Sequence, residues 1–463
     1  MSKKPKPKPT EPSVITNATE ARKWAAARGV TEIECLVPDL AGVARGKIMP
    51  SSKFFDDTAM ALPSSIFVQS ISGEYPEANE RFQFDQSDGD LTLQPDFSTL
   101  CLVPWAQDPT AQVIHDAVYH DGRAVEIAPR QVLKRVIALY REQGWEPVVA
   151  PEIEFYLVKR NIDPDYPLEP PIGRSGRAEA GRRSYSISAV NEFDALFEDI
   201  YAFAEAQQLE VDTLIHEEGA AQMEINLRHG DPLWLSDQVF LLKRTIREAA
   251  MAHDIYATFM AKPIAHEPGS AMHIHQSILT AETGQNLFTD SAGKPTPAFF
   301  HYLAGQQRYT PAVTCMFAPY VNSYRRLVKG YSAPVNVQWG YDNRTTGLRV
   351  PPSSPANRRV ENRVPSSDAN PYLAMAATLA AGYLGLTKHL TPSEPVTGAA
   401  CADELELPVG LLEAVDLFEE NEDLGELFGR RFVSTFAAVK RAEFATFMRV
   451  ISPWEREFLL LNV

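Results

Sequence analysis

Residues 268–277, PGSAMHIHQS, decide how the rest of the chain is read. His273 and His275 stand two apart in a β-like run, and side chains two apart on a strand project to one face, so both address one site. Upstream, residues 255–260 (IYATFM) read as a strand that Lys262-Pro263 breaks, and Pro268-Gly269-Ser270 makes a turn that brings backbone close to whatever the histidines hold. A histidine pair alone is more often a hydrogen-bonded structural pair than a metal site. Further ligands have to come from elsewhere in the chain.

Carboxylates supply them. Glu152 and Glu154, in residues 148–158 (VVAPEIEFYLV), share a strand face, and their apolar neighbours put that strand in the interior, where carboxylates need a cation. His216-Glu217 precedes a second such run, with Gln222, Glu224 and Asn226 on one face. Glu361 lies between Arg359 and Arg363, where a salt-bridged surface strand is the plainer reading. If the five glutamates converge with His273, the set is oxygen-rich with one imidazole, suited to Mg²⁺ or Mn²⁺ rather than Zn²⁺. Five carboxylates exceed the charge of one divalent ion, so two or more ions are expected. Arg325, Arg326, Arg344, Arg349, Arg358, Arg359 and Arg363 crowd the last third of the chain. Guanidinium forks bind carboxylate and phosphate oxygens, and beside metals they suit phosphoryl transfer from a nucleotide.

Composition bounds these readings. A chain of 463 residues calls for two domains. A net charge of −16 with no dense Lys/Arg stripe after the start of the chain argues against a nucleic-acid partner. Cys35, Cys101, Cys315 and Cys401 form no metal or redox spacing, which fits a reducing, cytoplasmic setting. Residues 1–12 carry charge and proline but no apolar core, and are expected to be a disordered tail. The longest apolar run, residues 372–386, is 15 residues rich in alanine, short for a membrane span and suited to a buried helix.

Along the chain, Asn17 caps a helix to about Arg28, residues 32–37 alternate as a half-buried strand, and residues 90–103 hold strand segments broken at Pro95-Asp96. This predicts a small α+β domain over 13–119. From about 128 the elements lengthen: a helix opening at Pro129, the strand 148–158, a long irregular segment 161–185, a helix 191–207, strands ending near His216 and spanning 221–227, and a helix 236–253. The fold class is therefore α+β, with a catalytic domain over 120–463.

Eight motifs in order carry a resemblance: GDLTLQPDFST (89–99), APEIEF (150–155), HEEGAAQMEINL (216–227), PGSAMHIHQS (268–277), NSYRRLVKGYSAPV (322–335), NRTTGLRVP (343–351), RRVENRVPSSDANPYLAMAA (358–377) and EREFLLLNV (455–463). With them the chain closely resembles the glutamine synthetase family from about residue 30 to its end. The resemblance implies an N-terminal β-grasp domain, a glutamine synthetase-type catalytic domain, and a homo-oligomer of stacked rings, a dodecamer, with active sites between subunits and Asp90 donated by the neighbour. It implies Glu154, Glu217 and Glu224 on one ion and Glu152, His273 and Glu361 on the other. Gly269, Arg326 and Arg363 match glutamate-binding positions, and His275, Ser277, Arg344 and Arg359 match positions around ATP, with Arg344 near the transferred phosphate. The implied chemistry is ATP-driven phosphorylation of the γ-carboxylate of L-glutamate, then attack of a nitrogen nucleophile on the acyl phosphate.

Three departures bear on that nucleophile. Ser332 stands where ammonia-using members have the glutamate of GYEAPV, which closes the site and takes a proton from ammonium. Pro268 replaces an asparagine that contacts glutamate, and Leu405 replaces the tyrosine that bacterial members under nucleotidyl control modify. Loss of the anionic gate with every metal ligand kept resembles the γ-glutamylpolyamine and γ-glutamylputrescine synthetase branch, so a polyamine or diamine is expected, with Asp90 steering the amine and taking up its proton. The rival readings are an ammonia-dependent glutamine synthetase, a methylamide or ethanolamide synthetase, and a non-enzymatic ring, which would have broken ligands.

Overall fold

The computed structural model describes residues 15–57, 60–77, 87–329, 333–400 and 406–463. The expected tail, Ser332, Cys401 and Leu405 lie outside them.

A first sheet is built from β1 (Glu32–Pro38), β2 (Ala44–Pro50), β3 (Met60–Pro63), β4 (Asp90–Pro95), β5 (Cys101–Leu102) and β6 (Thr110–Val118), in the order β2-β1-β6-β4-β3 with β5 on β6. β1 and β6 run parallel and the other pairs antiparallel. The preceding helix Ala18–Ala27 is capped as expected: Asn17 accepts the Glu20 N–H, and Gly29 closes the end at φ +64°.

The second sheet comprises β7 (Trp145–Lys159), β8 (Val211–His216), β9 (Gln222–Leu227), β10 (Ile255–Thr258), β11 (Met272–Thr280), β12 (Trp339–Tyr341), β13 (Leu348–Val350) and β14 (Val360–Asn362). Its order is β12-β13-β14-β11-β7-β9-β8, with β10 on β7. β10 ends two residues before the expected stop. The helix expected from 236 starts earlier, at Pro232, because Asp231 caps it and Pro232 fits a first helical position. The apolar run lies in the helix Pro371–Thr387, nearly all buried, against the helices Pro129–Glu142 and Pro297–Phe317. Among the described residues, no helix is long and apolar enough to cross a membrane.

The two sheets are joined by a buried hub. Arg130, on the helix Pro129–Glu142, donates to Asp96 (2.7 Å) and Asp116 (2.9 Å) of the first sheet's side and to Asp237 (2.8 Å) on the helix Pro232–Ala252. Tyr372 donates to Asp237 at 2.7 Å. One guanidinium thus satisfies three acids that would be costly to bury alone.

Candidate active site

Cross-strand register assembles the site. β7 pairs antiparallel with β9, setting Glu154 opposite Glu224 and Glu152 opposite Asn226. On its other edge β11 sets His273 opposite Glu152, and β14 sets Glu361 opposite His275. Directly opposed residues share a sheet face, so four acids, two imidazoles and Asn226 from four strands project together. Glu217 joins them from the tight turn after β8, where its N–H donates to Gln222 O at 2.8 Å.

Two cavities open on this face. The smaller, of about 200 Å³, is lined by Glu152, Glu154, Glu217, Glu224, His273, Gly269, Arg326, Arg344 and Arg363, together with Gln222, Asn226, Glu218, Tyr185 and Arg349. The larger, of about 730 Å³, is lined by His275, Ser277, Arg359, Arg228 and His229, and shares Glu152 and Asn226 with the first. Glu361 lines neither but lies behind them, 1 % exposed, accepting from Arg349 (2.6 Å) and Arg363 (2.8 Å). The surface-strand alternative for Glu361 is thereby excluded. Asp90 is exposed at the start of β4 and lines neither cavity.

Gly269 is required where it stands. A Cβ there would come within 2.6 Å of both Ala261 O and Arg326 Cγ. Arg326 is buried and oriented by its bonds to Val364 O (2.8 Å) and Arg363 O (3.0 Å). Tyr156 donates to Pro268 O at 2.8 Å, which ties the turn before β11 to β7.

The electrostatics divide the face. Burial pushes Glu154 up to about 8, reinforced by the Glu217 charge, and burial with the charges of Glu152, Glu154 and Glu217 pushes Glu224 up to about 9. Burial also raises Glu152 and Glu361, but there the opposing groups win: hydrogen bonds from His273 and His275 hold Glu152 below the usual carboxylate range, and the charges of His273 and Arg363 bring Glu361 to about 2. Burial and the Arg363 charge lower His273 to about 4, leaving a neutral imidazole able to ligate.

These residues fit a cation. Glu152, Glu224 and His273 offer ligand atoms within 4.8 Å of one another, and so do Glu152, His275 and Glu361. Asn226 Oδ1, at the seam between the cavities, is buried without a hydrogen-bond partner. Carboxylates held up by burial and mutual repulsion, and an orphaned amide oxygen, are what a hard, oxygen-seeking divalent ion would relieve. Among the lining residues given no role in the sequence analysis, Gln222 and Asn226 were detectable from the period of two in QMEIN. Glu218 and Tyr185 arrive from a turn and a loop that carry no such signal, while Arg349 is one of the clustered arginines of the last third.

Residues 126–459 match the glutamine synthetase catalytic domain. The chain is 37 % identical to gamma-glutamylputrescine synthetase PuuA of Escherichia coli K12, over 93 % of this chain and 92 % of that one. It is 31 % identical to the glutamate–isopropylamine ligase of a Pseudomonas species, over 90 % and 92 %. Among solved structures, a GmaS/ADP complex superposes with a TM-score of 0.81 at 28 % identity, covering 96 % of this chain and all of the other. With a catalytic-domain match across most of its length and relatives aligned nearly end to end, the chain belongs to the glutamine synthetase family.

Proposed function

We propose that this enzyme joins the γ-carboxylate of L-glutamate to an organic amine, driven by ATP through γ-glutamyl phosphate, with a polyamine or diamine such as putrescine, spermidine or spermine as the amine. The observation that carries the reading is the pair of cavities abutting at Glu152 and Asn226, one acidic with arginines on its walls and one large enough for a nucleotide. Glu154, Glu217 and Glu224 would hold one divalent ion and Glu152, His273 and Glu361 a second, Mg²⁺ or Mn²⁺. Such ions supply positive charge to phosphate oxygens.

The remaining roles belong to the chain's own groups. Arg363 Nε is buried without a partner and, with Arg326 and the Gly269 backbone, offers a donor to the glutamate carboxylates. His275, Ser277 and Arg359 would hold ATP in the larger cavity, and Arg344, exposed at the rim of the acidic one, would face the phosphoryl group in flight. A γ-carboxylate oxygen attacks the γ-phosphorus and ADP leaves. The amine then attacks the acyl carbon, phosphate leaves, and the amine loses a proton. Asp90 would act on that proton from a neighbouring subunit of a dodecameric ring, and its exposure suits an interface.

The amine assignment rests on Ser332 in place of an anionic gate and on the names of the two similar ligases, which act on putrescine and isopropylamine. Other relatives at 30–32 % identity are glutamine synthetases, which keeps ammonium as the competing substrate. Phosphate release with glutamate and ATP is to be compared across ammonium, methylamine, ethanolamine, putrescine, cadaverine, spermidine and spermine. A diamine or polyamine is expected to be used best. Ammonium winning would overturn the assignment, and Ser332→Glu is expected to shift use toward ammonium.

A further inference from the structure

Residues 160–186, between β7 and the helices that follow, form a long segment whose one regular feature among the described residues is an isolated bridge between Ile172 and Ala178. Most of it is exposed, but the Glu179 side chain is only 8 % exposed. Glu179 Oε2 accepts the Ala221 N–H at 2.7 Å and lies 3.0 Å from His216 Nε2, while His216 Nδ1 lies 2.7 Å from Glu217 O. The Tyr185 N–H donates to His216 O at 2.9 Å, tying the same segment to the same place.

His216 and Ala221 bracket the turn that presents Glu217 to the acidic cavity. That turn is tight and confined. Ala221 sits at φ +56°, a conformation side-chain-bearing residues seldom adopt. The Gly219 N–H donates to Gln222 Oε1 at 2.9 Å, and a Cβ on Gly219 would collide with the Tyr156 hydroxyl. A single carboxylate oxygen from a remote segment therefore holds both ends of a strained turn, without itself lining the cavity.

We propose that Glu179 is a positioning residue: it clamps the two ends of the 217–220 turn and so fixes the Glu217 carboxylate for a divalent cation. This rests on the reading of the acidic cavity as a cation site. Groups that orient metal ligands contribute about 10–100-fold in affinity when removed, and Glu179 meets that description through backbone rather than through the ligand's own carboxylate.

The test is Mn²⁺ binding to the purified full-length protein by calorimetric titration. Glu179→Ala is expected to weaken binding about tenfold or more. Glu179→Gln is expected to recover part of the loss, because its amide oxygen can still accept the Ala221 N–H. Arg177→Ala, an exposed change in the same segment, is expected to leave it unaltered. Absence of binding to the wild type would overturn the cation reading and the clamp together. Equal affinity in wild type and Glu179→Ala would overturn the clamp alone, as would a lower metal-free melting temperature with no change in affinity. Hydrogen exchange on the wild type needs no variant: Mn²⁺ is expected to protect peptides covering both 179–185 and 217–221, and protection confined to 217–221 would refute the coupling.

Discussion

Replacing Glu224 by glutamine is expected to stabilise the metal-free protein while weakening its response to metal. Burial and three facing carboxylates raise Glu224 from 4.5 to about 9. A group whose folded value is raised contributes its stability fully below the unfolded value and loses it as pH climbs toward the folded one. Each pH unit across that window removes about 1.4 kcal/mol, so near neutral pH the metal-free wild type has lost on the order of 3 kcal/mol relative to pH 4.5. Glutamine keeps the shape of the protonated acid and does not titrate. An unfolding entropy of about 2.1 cal/mol/K per residue over 463 residues gives about 1 kcal/mol per degree. Scanning calorimetry in chelator should therefore find Glu224→Gln melting about 3 °C above wild type near pH 7, with the gap closing toward pH 5 and widening above neutrality. Added Mn²⁺ should raise the wild type more than the variant. A variant that melts below wild type in chelator at neutral pH, or a gap indifferent to pH, would refute the electrostatic account.

Gly269→Ala forces a Cβ against Ala261 O and Arg326; it should cost about 1–3 kcal/mol in denaturant titration and raise KM for glutamate with KM for ATP unchanged. Arg359→Ala removes the donor to His275 Nδ1 at 3.2 Å from the wall of the larger cavity. It should raise KM for ATP and leave KM for glutamate alone, and the opposite pattern would move the nucleotide elsewhere. Arg130→Ala strands three acids around the buried hub and should cost about 3–5 kcal/mol with both KM values preserved, measured on whatever fraction remains folded.

Much of this was legible in the sequence because strand periodicity is local. PEIEF, QMEIN and HIH each place side chains on one face of their own strand, and Asn17 marks a helix start, whereas the cap at Asp231 went unread and the helix expected from 236 opens four residues earlier. What periodicity cannot give is register between strands distant in the chain. The facing of Glu154 with Glu224, or of Glu361 with His275, depends on how β7, β9, β11 and β14 slide against one another, and a slip of one residue would scatter the set. Nor could it reveal that Glu361 is buried between two guanidiniums rather than displayed at the surface, since that depends on Arg349 arriving from β13. The segment 161–185 read only as a long irregular loop, because Glu179 meets the Ala221 N–H and the His216 ring, both more than thirty residues away.

That register also explains why the site is unevenly charged. At the β14 edge each acid has its compensation built in: Glu361 has Arg349 and Arg363, and Glu152 has His273 and His275. Across β7 toward β9, Glu154 receives the Gln222 amide and the Ala271 N–H, and Glu224 has neither a guanidinium like those on Glu361 nor imidazole donors like those on Glu152. Hydrophobic side chains of similar volume would fill the β7–β9 face at lower free energy than two acids raised by burial and repulsion. A fold that keeps them there is less stable than it could be when no cation is bound, and stability given up at one place is the mark of a site selected for what it binds. The uncompensated half of the face is therefore where a cation gains most, and the compensated half is where arginines already stand beside the carboxylates, ready to meet a second anion.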